Sequence, residues 1–323
     1  MRILGIECTA HTLSIGISED GRILSNVIDT YSGGSEGLIP RKMADHHSTV
    51  FQPVLSKALG AAGLGIHDIG LIAFSQGPGI GAPLSVGIAG AKYLAQRHGK
   101  EIIGVNHGYA HAKISEHLTG LRDPLVLYVS GGNSQILIEE DGYYHVLGET
   151  LDIGIGNLFD SFARAIKMEH AHGSALAALA EGGKYVPLPY SVKGMNLVFS
   201  GLLTAAEKAA AHHKHKDVSF SLMETAFSMS CEVAERALFL SRKKKLLVCG
   251  GVAQNRRLQQ MLKAMCGEDG VEFGVAPDEF NRDNGAMIAY AGGLLYKRYG
   301  AMPIGRCVPV TNYRIDRMKE VLG

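Results

Sequence analysis

No two cysteines in this sequence stand at C-x-x-C spacing. The five that occur, Cys8, Cys231, Cys249, Cys266 and Cys307, are odd in number and widely scattered. Their pattern excludes a disulfide framework and a thiolate zinc site and points to a reducing compartment. Charge of one sign is also lacking. The chain has 32 basic and 31 acidic residues and a formal net charge of +1, so a nucleic-acid surface has to be a local patch. No apolar run approaches the roughly 18 residues that cross a bilayer. Met1 leads straight into Arg2-Ile-Leu-Gly-Ile-Glu7, without the basic and apolar regions of a signal peptide. The chain therefore reads as cytoplasmic, with no membrane partner.

The 323 residues, 46% of them apolar, suffice for two moderate cores, and the 41 glycines fall mostly where a strand gives way to a helix. Arg2–Glu7, Thr12–Ser18 and Arg22–Ile28 read as strands, the last two joined at Glu19-Asp20-Gly21. The plan recurs at Leu125–Ser130, Ser134–Glu139 and Tyr143–Leu147, with Glu140-Asp141-Gly142 as the second hairpin turn. Each trio opens a half that continues in alternating strands and helices. This predicts an α/β protein with two lobes built from a duplicated unit, each with a mostly parallel sheet under helices. The expected lobes are 1–122, completed by about 298–323, and 123–297, with a helical insert at about 151–240. A helix is expected over Ser85–Arg97, others over Asn157–Lys167, Ser174–Glu181, Gly201–Ala211 and Phe220–Leu240, and one carrying His46 and His47 from about Met43.

The most specific local signal is His107-Gly-Tyr-Ala-His111. At 3.6 residues per turn an i, i+4 pair lies about 40° apart on one helix face, so two ring nitrogens can meet one ion. Such histidines can equally sit at a surface or cap a helix. A third, anionic ligand would complete a site with open positions. Asp283, in Asn281-Arg-Asp-Asn-Gly285, precedes a helix, where it can cap, ligate or do both. Tyr128-Val-Ser-Gly-Gly-Asn-Ser134 ends a strand in a glycine turn whose N–H groups, with Ser130, suit phosphate or carboxylate oxygens. Val248-Cys-Gly-Gly-Val-Ala-Gln-Asn255 is a second strand-glycine-helix junction. Each turn alone can be a plain turn; together they suggest a nucleotide held in an interlobe cleft. Gly77-Pro-Gly-Ile-Gly81 lacks the Gly-Lys-Ser/Thr ending of a P-loop. His46 and His47 are open to surface, core or contact roles. His212-His-Lys-His215 reads as a solvated loop, and Arg242-Lys-Lys-Lys245 as a solvated strand end with a second reading as a phosphate contact.

In this order the motifs resemble the tRNA N6-adenosine threonylcarbamoyltransferase family, which supplies the catalytic subunit of the KEOPS complex. The match spans nearly the whole chain: Gly5-Ile-Glu-Cys-Thr-Ala-His-Thr12, Gly77-Pro-Gly79, Asn106-His107 through His111, Val129-Ser-Gly-Gly-Asn-Ser134, Glu149-Thr-Leu-Asp152, Lys193-Gly-Met-Asn-Leu-Val-Phe-Ser-Gly-Leu202, Gly250-Gly-Val-Ala253 and Asp283-Asn-Gly-Ala-Met-Ile288. The resemblance implies an actin-like, Hsp70-like and sugar-kinase-like (ASKHA) fold. It implies threonylcarbamoyl-AMP as donor and adenosine 37 of tRNAs reading ANN codons as acceptor. His107, His111 and Asp283 then correspond to metal ligands, with Tyr128 near or on the metal, Fe2+ favoured and Zn2+ the alternative. Tyr128, Val129, Ser130, Gly131, Gly132, Asp160, Gly173 and Asn255 correspond to contacts of the substrate or an adenine nucleotide, threonylcarbamoyl-AMP or ATP. Implied partners are tRNA and KEOPS-type subunits: a small atypical protein kinase, in some archaea fused to the chain, and a small dimerising subunit. One stretch departs from the family, whose Gly-Gly-Pro-x-x-Glu-like segment reads His172-Gly-Ser-Ala-Leu-Ala177 here. With Ala177 in place of the acid, weaker ribose binding is expected.

The expected chemistry is a metal-assisted acyl transfer by an acyltransferase of tRNA processing. No Ser-His-Asp pattern and no glycine-elbow serine suggests a protease. The rival enzyme is an ATP-hydrolysing or sugar-phosphorylating member of the same fold with Glu7 as base. The rival without catalysis is a nucleotide-sensing scaffold for the other subunits.

Overall fold

Alternation along the first two strands decides how the N-terminal sheet is covered. Leu4 and Ile6 of β1 (Arg2–Glu7) and Leu13, Ile15 and Ile17 of β2 (Thr12–Glu19) share one face, while Gly5, Ser14 and Gly16 share the other. The bulky face packs in a core with Val54, Ala58, Ile88 and Ala91 from two helices. The face of small residues admits a helix backbone instead. This computed structural model describes residues 1–33 and 38–322; Gly323, the last residue of the expected C-terminal segment, lies outside them.

After β3 (Arg22–Thr30) come α1 (Pro40–Ala62), β4 (Leu71–Gly77), α2 (Gly81–His98), β5 (Glu101–Asn106) and α3 (His107–Thr119). The chain continues through β6 (Leu125–Val129), β7 (Ser134–Glu140), β8 (Tyr143–Glu149), α4 (Ile155–Ala165) and α5 (Gly173–Ala180). Two short strands, β9 (Val192–Lys193) and β10 (Asn196–Leu197), precede α6 (Ser200–Ala210) and α7 (His215–Ser241). Last come β11 (Lys245–Cys249), α8 (Arg256–Glu268), β12 (Glu272–Val275), α9 (Asp278–Asn281), α10 (Gly285–Tyr299) and α11 (Met318–Leu322). The chain divides into one unit of residues 1–114 with 282–323 and a second of residues 115–281.

In the first unit the sheet runs β3-β2-β1-β4-β5. The hairpin strands are antiparallel, and β4 and β5 join parallel. Helix α10 lies on β1 and β2, where added Cβ atoms would collide: one on Gly5 would stand 2.2 Å from the Ala289 nitrogen and from the Gly285 oxygen, one on Gly16 2.2 Å from the Ala286 nitrogen. Ser14 Oγ accepts the Gly285 N–H at 2.8 Å. The small face thus fixes where α10 begins. Helix α2 starts at Gly81, earlier than the expected Ser85, because Pro83 falls in the first turn, where no N–H partner is required.

The second unit repeats the order as β12-β11-β6-β7-β8, with antiparallel β6, β7 and β8 and parallel β11 and β12. Its core joins Leu125, Leu127 and Val129 to Phe159, Phe162, Phe199 and Phe227. Helix α7 starts at His215 rather than Phe220: its polar first turn hides the apolar period but carries Asp217, which complements the helix N-terminus. Asp152 fastens α6, accepting N–H bonds from Phe199 at 3.0 Å and Ser200 at 2.7 Å, besides Ile153 at 2.7 Å. Burial pulls its carboxyl upward, but these bonds outweigh that and leave it below its usual value.

Two outcomes are expected. Gly5→Ala should cost about 3 kcal/mol or more, the upper end of overpacking, read from urea melts. A folded-state carboxyl held below its unfolded value stabilises above that value, about pH 4, and the gain disappears as pH falls through the folded one. Asp152→Asn should therefore lose stability at neutral pH and converge with the parent below about pH 4, so an equal deficit at both pH values would contradict the capping role.

Candidate metal centre

Three side chains of the first unit converge from two helix starts. His107 is the first residue of α3 and His111 follows one turn later. Asn106 Oδ1 accepts the Tyr109 N–H at 3.0 Å, and Asn106 Nδ2 donates to the Tyr313 carbonyl at 2.9 Å, which fixes this helix end. The rings of His107 and His111 lie 4.7 Å apart at 85°. Asp283 precedes α10, whose cap is its neighbour Asn284, accepting from the Met287 N–H at 2.9 Å. Of the two polar neighbours the amide caps, and the carboxylate reaches the imidazoles. Asp283 Oδ1 stands 3.3 Å from Nε2 of both His107 and His111.

Ligand atoms of His107, His111 and Asp283 all lie within 4.8 Å of one another. Burial pushes the His111 imidazole down from its ordinary value, against the pull of Asp283. Burial alone would raise the Asp283 carboxyl; the adjoining His107 and His111 outweigh it and hold it well below the usual range. A neutral imidazole and an ionised carboxylate are what a cation requires of its ligands.

Glu7, fully buried at the end of β1, sets the tautomer of His107. Its Oε1 accepts the Thr9 N–H at 2.7 Å and the Thr9 hydroxyl, and its Oε2 lies 3.0 Å from His107 Nδ1. Only an Nδ1–H can satisfy that carboxylate, so the Nε2 lone pair of His107 is turned toward Asp283 and His111. The residue types therefore fit a divalent ion: two imidazoles and a carboxylate, one imidazole oriented by a second carboxylate. Sequence reasoning had Glu7 only as a base in a rival reaction. The available signal was an acidic residue ending an otherwise buried apolar strand. Cys8, its neighbour, points into the core: its thiol donates to the Pro83 carbonyl at 3.0 Å, and burial pushes it far up, so it offers no thiolate.

The remaining expected residues lie in the second unit. Tyr128 and Val129 end β6 and are buried. Beyond them Ser130 Oγ donates to the Asn133 carbonyl at 3.0 Å, and the exposed Gly131 and Gly132 form the tip of the turn. The Ser130 and Gly131 carbonyls accept the N–H groups of Gly156 and Asn157, at 3.2 and 2.9 Å, which seats the start of α4 under the turn. Gly250, at φ 95°, lies against the Val129 carbonyl, where a Cβ would stand 2.4 Å away. Asp160 Oδ1 accepts the Gly173 N–H at 2.8 Å, tying α4 to α5. His172 caps α5 through Nδ1, and Ala177 lies within that helix. Asn255 caps α8, its Oδ1 accepting from Arg257 at 2.9 Å and Leu258 at 3.2 Å. His212 and His213 are exposed beside α7, and Lys243 of the basic run pairs with Asp123.

A family model described as tRNA N6-adenosine threonylcarbamoyltransferase matches residues 22–290. A protein of that name from Thermococcus sibiricus is 46% identical over 322 residues, 99% of each chain. A "probable bifunctional tRNA threonylcarbamoyladenosine biosynthesis protein" of Methanocaldococcus jannaschii is 45% identical; the match covers 100% of this chain and 62% of that longer one. Among solved structures, HypF of T. kodakarensis is similar with a TM-score of 0.66 at 14% identity, over 92% of this chain and 48% of the other. That likeness concerns the α/β fold alone.

Glu7→Gln keeps the volume of the side chain but weakens the acceptor opposite His107 Nδ1. It should lower the affinity of metal-stripped protein for Co2+ about 10- to 100-fold, the usual effect of losing an outer-shell partner, as read from visible absorption during titration.

Proposed function

The chain belongs to the tRNA N6-adenosine threonylcarbamoyltransferase family, and on that footing we propose that it transfers the threonylcarbamoyl group from threonylcarbamoyl-AMP to N6 of adenosine 37 in tRNAs reading ANN codons, with a divalent ion held by His107, His111 and Asp283. It is a transferase that makes N6-threonylcarbamoyladenosine in tRNA. The observation that carries the metal reading is the cluster of ligand atoms within 4.8 Å, with His107 locked as its Nδ1–H tautomer by Glu7.

The reaction forms a bond from N6 to the carbamoyl carbon and breaks the bond from that carbon to the AMP phosphate oxygen, N6 giving up a proton. A bound Fe2+, or Zn2+ as the alternative, supplies a Lewis acid able to polarise a carbonyl oxygen. Glu7 keeps the His107 proton on Nδ1, so that imidazole is an electron-pair donor and not an acid. Tyr128, Val129 and the Ser130–Gly132 turn are assigned to the donor, with the exposed glycines allowing close approach of phosphate oxygens. Asp160, Gly173 and Asn255 complete the nucleotide contacts, and Ala177 withholds a carboxylate from the ribose.

We read the fold as a duplicated ASKHA unit with α4 to α7 inserted in its second copy. The cytoplasm is the expected compartment; no helix among the described residues is long and apolar enough to cross a membrane. KEOPS-type subunits, including a small atypical kinase and a dimerising subunit, are the proposed partners besides tRNA, and the bifunctional relative is in keeping with a fused partner. The kinase-like rival is disfavoured because both oxygens of buried Glu7 are already engaged by Thr9 and His107.

Restoring Fe2+ or Zn2+ to stripped protein, in the presence of partner subunits, should restore transfer of labelled threonine to tRNA. The double variant His107→Ala, His111→Ala should lose about 100-fold or more, matching the several kcal/mol expected of a Lewis acid. Full activity in that variant would sink the metal reading.

A further inference from the structure

We propose that His46 and His47 are positioning residues: together they carry one positive charge, clamp α1 and β3 to the turn after β1, and through that turn hold the ring of His107 in register. This rests on His107 being a ligand only for its consequence in metal binding.

The argument begins with counting protons. His47 is fully buried, and its Nε2 lies 2.9 Å from the Ala10 carbonyl oxygen. Its Nδ1 is 3.2 Å from Nδ1 of His46, whose Nε2 stands 3.0 Å from Asp29 Oδ1 on β3. A carbonyl and a carboxylate only accept, so each outer contact needs an N–H, and the nitrogen-to-nitrogen contact needs one more. Two neutral imidazoles own two ring protons. Three hydrogen bonds require three, so the pair is a monocation opposite the carboxylate of Asp29. Burial pushes His47 down, with further repulsion from His46 and His11, which assigns the third proton to His46 at the more open end. Glu7 from β1, Asp29 from β3, His11 from the turn and the Tyr31 ring, 5.6 Å from that of His46, are the titratable groups around the pair.

The clamped turn leads to the candidate centre. Ala10, held by His47, adjoins Thr9, whose N–H and hydroxyl both bind Glu7 Oε1. Thr9 is itself gripped through its carbonyl by the Ile80 N–H at 2.8 Å. Glu7 Oε2 then holds His107 Nδ1. The route Asp29, His46, His47, Ala10, Thr9, Glu7, His107 lies entirely in the first unit, and every link except the Ala10–Thr9 peptide is a hydrogen bond or ion pair. Neither histidine touches the candidate ligands, so their influence passes through the turn.

The test uses the full chain, labelled with 15N at histidine and stripped of metal, at a pH about one unit above the ordinary histidine value of ~6.5. Ring nitrogen shifts should report His46 protonated at both nitrogens, His47 neutral with its proton on Nε2, and His107 locked with its proton on Nδ1. His47→Ala should release His107 into a mixture of tautomers and weaken Co2+ binding about 10-fold, while His47→Gln, which keeps a donor for Ala10, should restore both. His46→Ala, at a more tolerant site, should move His107 the same way to a lesser extent and reads the clamp even if His47→Ala does not fold. An unchanged His107 tautomer in folded His47→Ala or His46→Ala, or a neutral His46 in the parent, would overturn the proposal. A parent chain that shows the expected shifts but takes up no Co2+ would support the clamp and reject the metal reading instead.

Discussion

A carboxylate sealed inside a sheet has to be matched donor for donor, since an unmatched buried charge costs several kcal/mol. Glu7 meets that demand with the Thr9 N–H, the Thr9 hydroxyl and His107 Nδ1–H. Much of the first unit follows from it. The chain must turn immediately after β1 to bring Thr9 back, and α3 must begin at His107 and nowhere else. The second nitrogen of the ring is thereby left as a lone pair aimed at Asp283.

The same region draws on helix starts. His107 opens α3, and Asp283 stands two residues before α10. The positive end of a helix dipole favours an anion and disfavours a protonated imidazole, in the same direction as the shifts of Asp283 and His111. Asn106 and Asn284 take the capping duties, which leaves the histidine and the aspartate to each other. Beneath α10, the Gly5 and Gly16 surface sets how deeply that helix can sit. The position of a charged residue is thus governed partly by residues that have no side chain.

Much of the architecture was legible because its signals are local. The paired Glu-Asp-Gly turns, period-two strands and glycine junctions mark both sheets, and i, i+4 spacing puts two imidazoles on one face. What was not legible depends on partners distant in sequence. Nothing local distinguishes Asp283 from Asn284 as the cap, because either side chain can accept the same N–H. Nor does spacing reveal that Glu7 would be consumed by Thr9 and His107. The starts of α2 and α7 were placed late for another reason: a proline and a polar first turn conceal the apolar period without opposing a helix. His46 and His47 were left among several roles because a burial pattern with two adjacent histidines on one helix is decided by what packs there, here Ala10 and Asp29.

The first unit is assembled from two stretches of chain, residues 1–114 and 282–323, while the second is continuous over 115–281. Domains tend to fold as they leave the ribosome, N-terminal part first. Here the continuous unit can be completed first, and the earlier-made strands have to wait for α10. Glu7 and both histidines are synthesised long before Asp283, so a nascent chain carries two ring nitrogens without their carboxylate for most of its translation. Ion loading is accordingly a late event in maturation, and a ribosome stalled before residue 283 would display a half-built cluster with a different appetite for metals than the finished protein.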